Sequence, residues 1–150
     1  MIDLTAKEDD RFMRAALDEA RQAFDADEVP IGAVVVCGGR IVGRGHNMTE
    51  TFNDVTAHAE MQAITAAVNA LGGKYLPECT LYVTVEPCVM CAGAIGWSQI
   101  RRVVYGAGDE KRGYLTFTRK PPFHPKAVVV SGILAGESAE LMRSFFARKR

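Results

Sequence analysis

Four side chains in two short stretches carry the most obvious chemistry: the imidazole and carboxylate of His58-Ala59-Glu60, and the two thiols of Pro87-Cys88-Val89-Met90-Cys91. Cysteines three apart share one face of a helix, so Cys88 and Cys91 can both point at one ion. A place in the opening turn of a helix also favours thiolate, the form that binds metal. Two sulfurs and one imidazole suit zinc, and three protein ligands leave the fourth tetrahedral position free for water. Glu60 lies two residues from His58, a spacing that diverges on a regular helix. In a first turn, however, both side chains can reach a site lying off the helix end. Because zinc lowers the pKa of bound water from about 16 to about 7, the task left for Glu60 is proton transfer rather than ligation.

Other uses of these residues stand beside that one. Cys-x-x-Cys before a helix also serves redox chemistry, and a closed structural zinc site would need a fourth ligand from among Cys37, His46, Cys79 and His124. Cys37 and Cys79 fall in apolar strand-like runs and read as small core residues.

The elements that must bring the two stretches together follow from periodicity. Residues 8 to 25 set Phe12, Ala16, Leu17, Ala20, Ala23 and Phe24 at helical spacing. Pro30 restricts Val29 to extended geometry, and 31 to 37 is a β-branched strand turning at Gly38-Gly39 into a second strand over 40 to 46. Residues 47 to 55 are polar enough for a loop. Thr56 is the expected N-cap of a helix over 57 to 70, packed through Met61, Ile64, Thr65 and Val68 and ended by Gly72-Gly73. A strand over 79 to 85 leads to Pro87, expected to open a helix running to Trp97. Short strands over 101 to 105 and 127 to 131 and a helix over 135 to 148 complete the pattern, with 111 to 126 unassigned. The order α-β-β-α-β-α-β-β-α predicts an α/β fold with a mixed sheet between helical layers.

With 150 residues, 48% apolar and 24% charged, the chain fits one domain spanning 1 to 150, with a core that needs no disulfides. The first residues lack a basic-then-apolar leader pattern and no run approaches a membrane span, so an intracellular protein is expected. The net charge of zero hides a division: residues 1 to 100 hold 7 Lys/Arg against 14 Asp/Glu, and residues 101 to 150 hold 11 against 4. A basic C-terminal third points to a local anionic partner, nucleic acid first, or else to a solvated face.

Taken jointly, His58-Ala59-Glu60 and Pro87 to Cys91 match the H-x-E…P-C-x-x-C signature of zinc nucleobase deaminases. Asp27 to Val36, Gly45-His46-Asn47, Thr56 to Met61, Leu81 to Ala94 and Arg101 to Ala107 resemble the bacterial tRNA adenosine deaminase family, and the likeness covers roughly 8 to 148. The resemblance implies a three-layer α/β/α cytidine deaminase-like domain with a central mixed five-stranded sheet. It further implies hydrolytic deamination of the wobble adenosine of a tRNA anticodon stem-loop to inosine, by a cytoplasmic homodimer with one Zn2+ per subunit. By the same carry-over His58, Cys88 and Cys91 hold the metal and Glu60 shuttles the proton. Asn47 bonds the flipped nucleoside, Ile31 lines its pocket, and Asp109 lies near the flanking nucleotides. The plainer alternatives for these last three are a loop cap, a core strand residue and a surface acid.

One region departs from the family. Many members carry Lys-Thr-Gly followed by Gly, Ala and Ser after the Asp, whereas this chain has Glu110-Lys111-Arg112-Gly113-Tyr114-Leu115-Thr116-Phe117, a bulkier run. Lys111, Arg112, Arg119, Lys120 and Lys126, interleaved with Tyr114, Phe117 and Phe123, suit a strand of unstacked nucleotides, or else a solvated loop packed by its own aromatics. The rival functions are a guanine- or cytosine-type free-base or nucleoside deaminase, which would share the site and drop the RNA, and a non-catalytic zinc or thiol protein.

Overall fold

The computed structural model describes residues 4–149. Its elements run α1 (Leu4–Asp25), β1 (Gly32–Cys37), β2 (Arg40–His46), α2 (Thr49–Phe52), α3 (Ala59–Leu71), β3 (Cys79–Val85), α4 (Val89–Trp97), β4 (Arg102–Ala107), α5 (Tyr114–Phe117), β5 (Val128–Val130) and α6 (Ala135–Arg148). The strands form one five-stranded sheet in the order β2-β1-β3-β4-β5. β1 is antiparallel to both β2 and β3, while β3, β4 and β5 run parallel. The expected mixed sheet is therefore present.

Alternation along the strands divides the core into two layers. Ala33, Val35, Leu81, Val83, Val103 and Tyr105 pack on one face with Ala59, Ala63 and Ala67 of α3 and Ala92 and Ile95 of α4. Val34, Val36, Tyr82 and Val104 pack on the other with Phe12, Met13 and Ala16 of α1. α6 also lies against α1 and β4, so helices cover both faces.

Four expectations change. The packing stripe of α3 centres on the buried Ala59, Ala63 and Ala67, with the expected Ile64 and Val68 packed against the same core and partly buried, while Thr65 is exposed. The reason is distance: a Cβ on Gly43 or Gly45 of β2 would run into the α3 backbone at Ala63 or Ala59, so small residues let helix and strand touch. Thr56 does not cap α3, because its hydroxyl and amide both donate to Asp54 Oδ1 at 2.7 and 2.8 Å, and His58 takes the N-cap. Pro87 precedes α4 instead of opening it, and Cys88 is the N-cap. Finally, the loop expected over 47–55 and the unassigned stretch 111–126 each hold one short helix, α2 and α5, too brief to leave a periodic signal.

The α1 layer is tied to the sheet by an ion pair between the buried Asp9 and the partly buried Arg102. Arg102 donates to both Asp9 oxygens at 2.6 and 2.7 Å, and the Tyr82 hydroxyl donates to Asp9 at 2.7 Å. Burial pushes the Asp9 carboxyl up, but the Arg102 and Tyr82 bonds outweigh it and hold it below its ordinary value. The stabilisation is therefore complete above the unfolded carboxyl's value of about 4 and is lost as pH falls through the lower folded one. Asp9→Asn removes the charged acceptor from a partly buried guanidinium and is expected to cost about 2 kcal/mol, read as a lower urea midpoint with an unchanged slope.

Candidate active site

One edge of the sheet gathers the chemistry. β3 ends at Val85 and leads through Pro87 to Cys88; β2 ends at His46 beside Asn47; and β4 ends at Ala107, two residues before Asp109. Open α/β sheets carry their crevices outside such carboxyl ends. The start of β1 lies at the same edge, because Gly32 pairs with His46 and the Asn47 amide donates to the Ile31 carbonyl at 3.1 Å.

His58 and Cys88 are both N-cap residues in extended conformation, at φ −77°, ψ 158° and φ −70°, ψ 170°. Glu60 and Cys91 lie in the first turns that follow, so both helices aim their N-termini at one point. The His58 Nδ1 atom stands 3.6 Å from Cys88 Sγ and 3.5 Å from Cys91 Sγ. The three candidate ligand atoms all lie within 4.8 Å of one another. That spacing fits a four-coordinate ion, since bonds of about 2.0–2.3 Å to tetrahedral ligands separate them by under 4 Å. Soft sulfur and borderline imidazole donors match zinc among the common ions. Among the described residues no other group of three His, Cys, Asp or Glu side chains comes together this way, and Cys37, Cys79, His46 and His124 all lie outside it. The closed four-ligand arrangement is therefore not what the fold assembles.

Local electrostatics separate the roles. Hydrogen bonding from Cys91, with His58 adding to it, pulls the Cys88 thiol down to about 4 against the opposing effect of burial. The bond to Cys88 in turn raises His58. Its hydrogen bond to Cys88, together with burial, pushes the Cys91 thiol up. Glu60 is 4% exposed, and burial pushes its carboxyl up to about 7. A carboxyl near neutrality is suited to accepting and returning a proton.

The remaining expected residues divide. Asn47 is buried, and its Oδ1 has no hydrogen-bond partner. A buried acceptor left without a donor is costly unless a ligand supplies one. Ile31 is half-buried at the margin of the core cluster that contains Ala59. Asp109 is engaged within its own loop, where its Oδ1 accepts the Lys111 and Arg112 amides, each at 3.0 Å. Beside His58 opens a cleft of about 370 Å³ bounded by Thr49, Glu50, Asn53, Asp54 and Val55. A larger hollow of about 510 Å³, near Glu28 and Phe145, touches none of the candidate ligands.

Two buried carboxylates at this edge had no assigned part in the sequence reading. Glu28, 1% exposed, accepts the Glu50 and Thr51 amides at 3.0 and 2.6 Å and the Thr51 hydroxyl at 2.6 Å, pinning α2 beside the cleft. Glu86 binds the loop after β4. For Glu86 the available signal was an acid closing a mostly apolar strand; Glu28, next to Asp25 and Asp27, offered none.

Comparison with known proteins agrees with this geometry. A model of the MafB19-like deaminase family matches residues 7–150. A tRNA-specific adenosine deaminase of Agrobacterium fabrum is 51% identical over 143 residues, covering 93% of this chain and 94% of its own length. A solved structure from work on A-to-I editing by tRNA:A34 deaminases at the wobble position of transfer RNA shares 50% identity at a TM-score of 0.82, over 87% of this chain and 98% of that one. The guanine deaminase of Nitrosomonas europaea superposes at a TM-score of 0.79 with 26% identity, over 92% and 84% of the two chains. A family model spanning nearly the whole length, and a relative sharing half its residues, establish that the chain belongs to the deaminase family that includes the bacterial tRNA-specific adenosine deaminases.

Proposed function

We propose that the chain is a zinc-dependent hydrolase that converts the wobble adenosine of a tRNA anticodon to inosine and releases ammonia. The convergence of His58, Cys88, Cys91 and the buried Glu60 on one point carries the chemistry. The 51% identity to a tRNA-specific adenosine deaminase over 93% of the chain, against 26% to the guanine deaminase of Nitrosomonas europaea and 42% over only 65% of the chain to that of Bacillus subtilis, supports the substrate.

His58, Cys88 and Cys91 would hold the ion. Bound there, zinc supplies the Lewis acidity that makes water a nucleophile at neutral pH. Glu60 takes a proton from the attacking water and returns it to the departing amino nitrogen; the new C6–O bond replaces the C6–N bond. Asn47, through its free Oδ1, accepts a hydrogen bond from the flipped nucleoside. Ile31, tied to Asn47 through its carbonyl, packs against the base. Asp109 shapes the loop beside the flanking nucleotides by holding the Lys111 and Arg112 amides.

The RNA is met by cations on that loop and beyond it. Lys111, Arg112, Arg119, Lys120 and Lys126 are all exposed, as is Phe117, while Tyr114 and Phe123 are buried and meet edge to face with ring centroids 4.9 Å apart. Only Phe117 of the three aromatics is thus available to a base; the other two build the platform beneath. We also read the protein as a single-domain cytoplasmic homodimer. The exposed apolar side chains Val89 and Trp97 on α4 are a surface a second copy would cover. No helix among the described residues is long and apolar enough to cross a membrane.

The substrate assignment is tested by competition. Purified protein is expected to form inosine in an anticodon stem-loop bearing adenosine at the wobble position while leaving free guanine and cytidine unconsumed. Turnover of either small substrate with an inert stem-loop moves the chain to the free-base class.

A further inference from the structure

Glu86 follows the last residue of β3 and precedes Pro87-Cys88. It is 7% exposed. Its carboxylate reaches across to the loop after β4, where Oε1 accepts the Asp109 amide at 3.2 Å and Oε2 accepts the Leu115 amide at 3.1 Å. These two amides stand at the two ends of the segment 109–115, so one carboxylate closes it as a clasp. The backbone reinforces the contact: the Tyr114 amide donates to the Pro87 carbonyl at 2.9 Å, and Gly113 forms an isolated bridge with Cys88. Gly113 is buried, and a Cβ there would overlap Glu86 Oε2. The loop can therefore approach only because position 113 has no side chain.

Glu86 is not among the candidate ligands, and both its oxygens are engaged by loop amides. What it fixes is the placement of an exposed, cation-bearing loop against the first turn of α4, the turn that carries Cys88 and Cys91. Lys111 and Arg112 stand at the outer bend of that loop, exposed. The same segment is the one whose sequence departs from the family pattern.

We propose that Glu86 is a positioning residue for RNA engagement: by clasping the Asp109 and Leu115 amides it holds the 109–115 loop at the rim of the site, with Lys111 and Arg112 set to meet phosphates flanking the reacting adenosine. This rests on the tRNA reading above. Fixing the loop beforehand spares the complex the entropy of ordering it on binding, so the effect falls on KM rather than on the chemical step.

Glu86→Gln keeps the shape but presents an NH2 group to one of the two amide donors. The loop itself supplies the first readout, since trypsin cuts after Lys111 and Arg112. With holoprotein, cleavage there is expected to be at least about tenfold faster than in the wild type, because proteolysis of a locally opened segment follows its opening equilibrium. KM for the stem-loop is expected to rise about tenfold, the loss of roughly one amide bond to a charged acceptor, with kcat within about twofold and zinc content unchanged. Gly113→Ala, which displaces the same carboxylate from the loop side, is expected to reproduce both effects, and the double variant to be no worse than the worse single one. Unchanged tryptic cleavage in both variants overturns the clasp, and a loosened loop with unchanged KM overturns its part in RNA engagement. Loss of zinc and kcat with KM unmoved makes Glu86 a support of the metal helix and overturns the proposal. A wild type inert on the stem-loop would instead overturn the tRNA reading, and the tryptic comparison would still decide the clasp.

Discussion

Replacing Glu60 by glutamine is expected to lower deamination by at least about a thousandfold while zinc content and fold stay as in the wild type. The substitution is close to isosteric, and Glu60 is 4% exposed in the first turn of α3, so the packing around it has little reason to change. What is lost is the proton carrier. An amide can neither take a proton from water nor deliver one to the leaving nitrogen, and the reaction must then find both from solvent in a buried site. Metal analysis and single-turnover inosine formation on the same preparation separate the outcomes. Unchanged activity would remove Glu60 from the mechanism; loss of zinc in parallel with activity would make it part of the metal's support.

Cys91→Ala is expected to produce the opposite pattern, in which metal and activity disappear together. Cys91 is fully buried, and its sulfur lies 3.5 Å from the His58 imidazole. Without it only one thiol and one imidazole remain, and affinity for zinc should fall by at least about a hundredfold. The fold should survive, because the sheet and its two core layers are built from residues elsewhere. Wild-type protein stripped by a chelator should match the variant. Added zinc should restore the wild type alone. A variant that retains one zinc per chain would remove Cys91 from the ligand set.

Much of this arrangement was legible in the residues, for reasons that differ by element. Strands β2 and β3 and helix α6 have the bounds expected of them, because alternation, the Gly38-Gly39 turn and a regular apolar face leave little choice. Both glycines of that turn have positive φ, 60° and 76°. The site's ligands were legible because the spacing of Cys88 and Cys91 is local. Their meeting with His58 is long-range; it was inferred from donor type, two sulfurs and one imidazole suiting zinc, with the resemblance added to it. The helix starts were displaced for a chemical reason. Thr56 is a good N-cap by type, yet Asp54 captures it, and the true caps are His58 and Cys88, which cap poorly and are retained where a metal site would need them.

Other features were hidden in kind. The stripe of α3 was read only in part: Ile64 and Val68 pack on the core as expected, but its alanine centre was missed because an alanine's burial depends on the glycine strand beneath it, which no helical period reports. Of the two readings open for Tyr114 and Phe123, surfaces for bases or the loop's own packing, residue types could not choose, and the structure gives the second: Tyr114 packs on Phe123 and Tyr105. Asp109 bonds its own loop, so any influence on RNA passes through the amides of Lys111 and Arg112. Glu28 and Glu86 are acids whose partners are backbone amides more than twenty residues away, a pairing that residue types cannot announce.

The most direct test of the whole account is a map of inosine over total tRNA exposed to the purified zinc-loaded protein, with free guanine present in the same reaction. The expected result is inosine at the first anticodon nucleotide of tRNAs carrying adenosine there, none at other adenosines, and guanine unconsumed. Guanine converted to xanthine over an unaltered tRNA pool, or inosine scattered without regard to the anticodon, would contradict it.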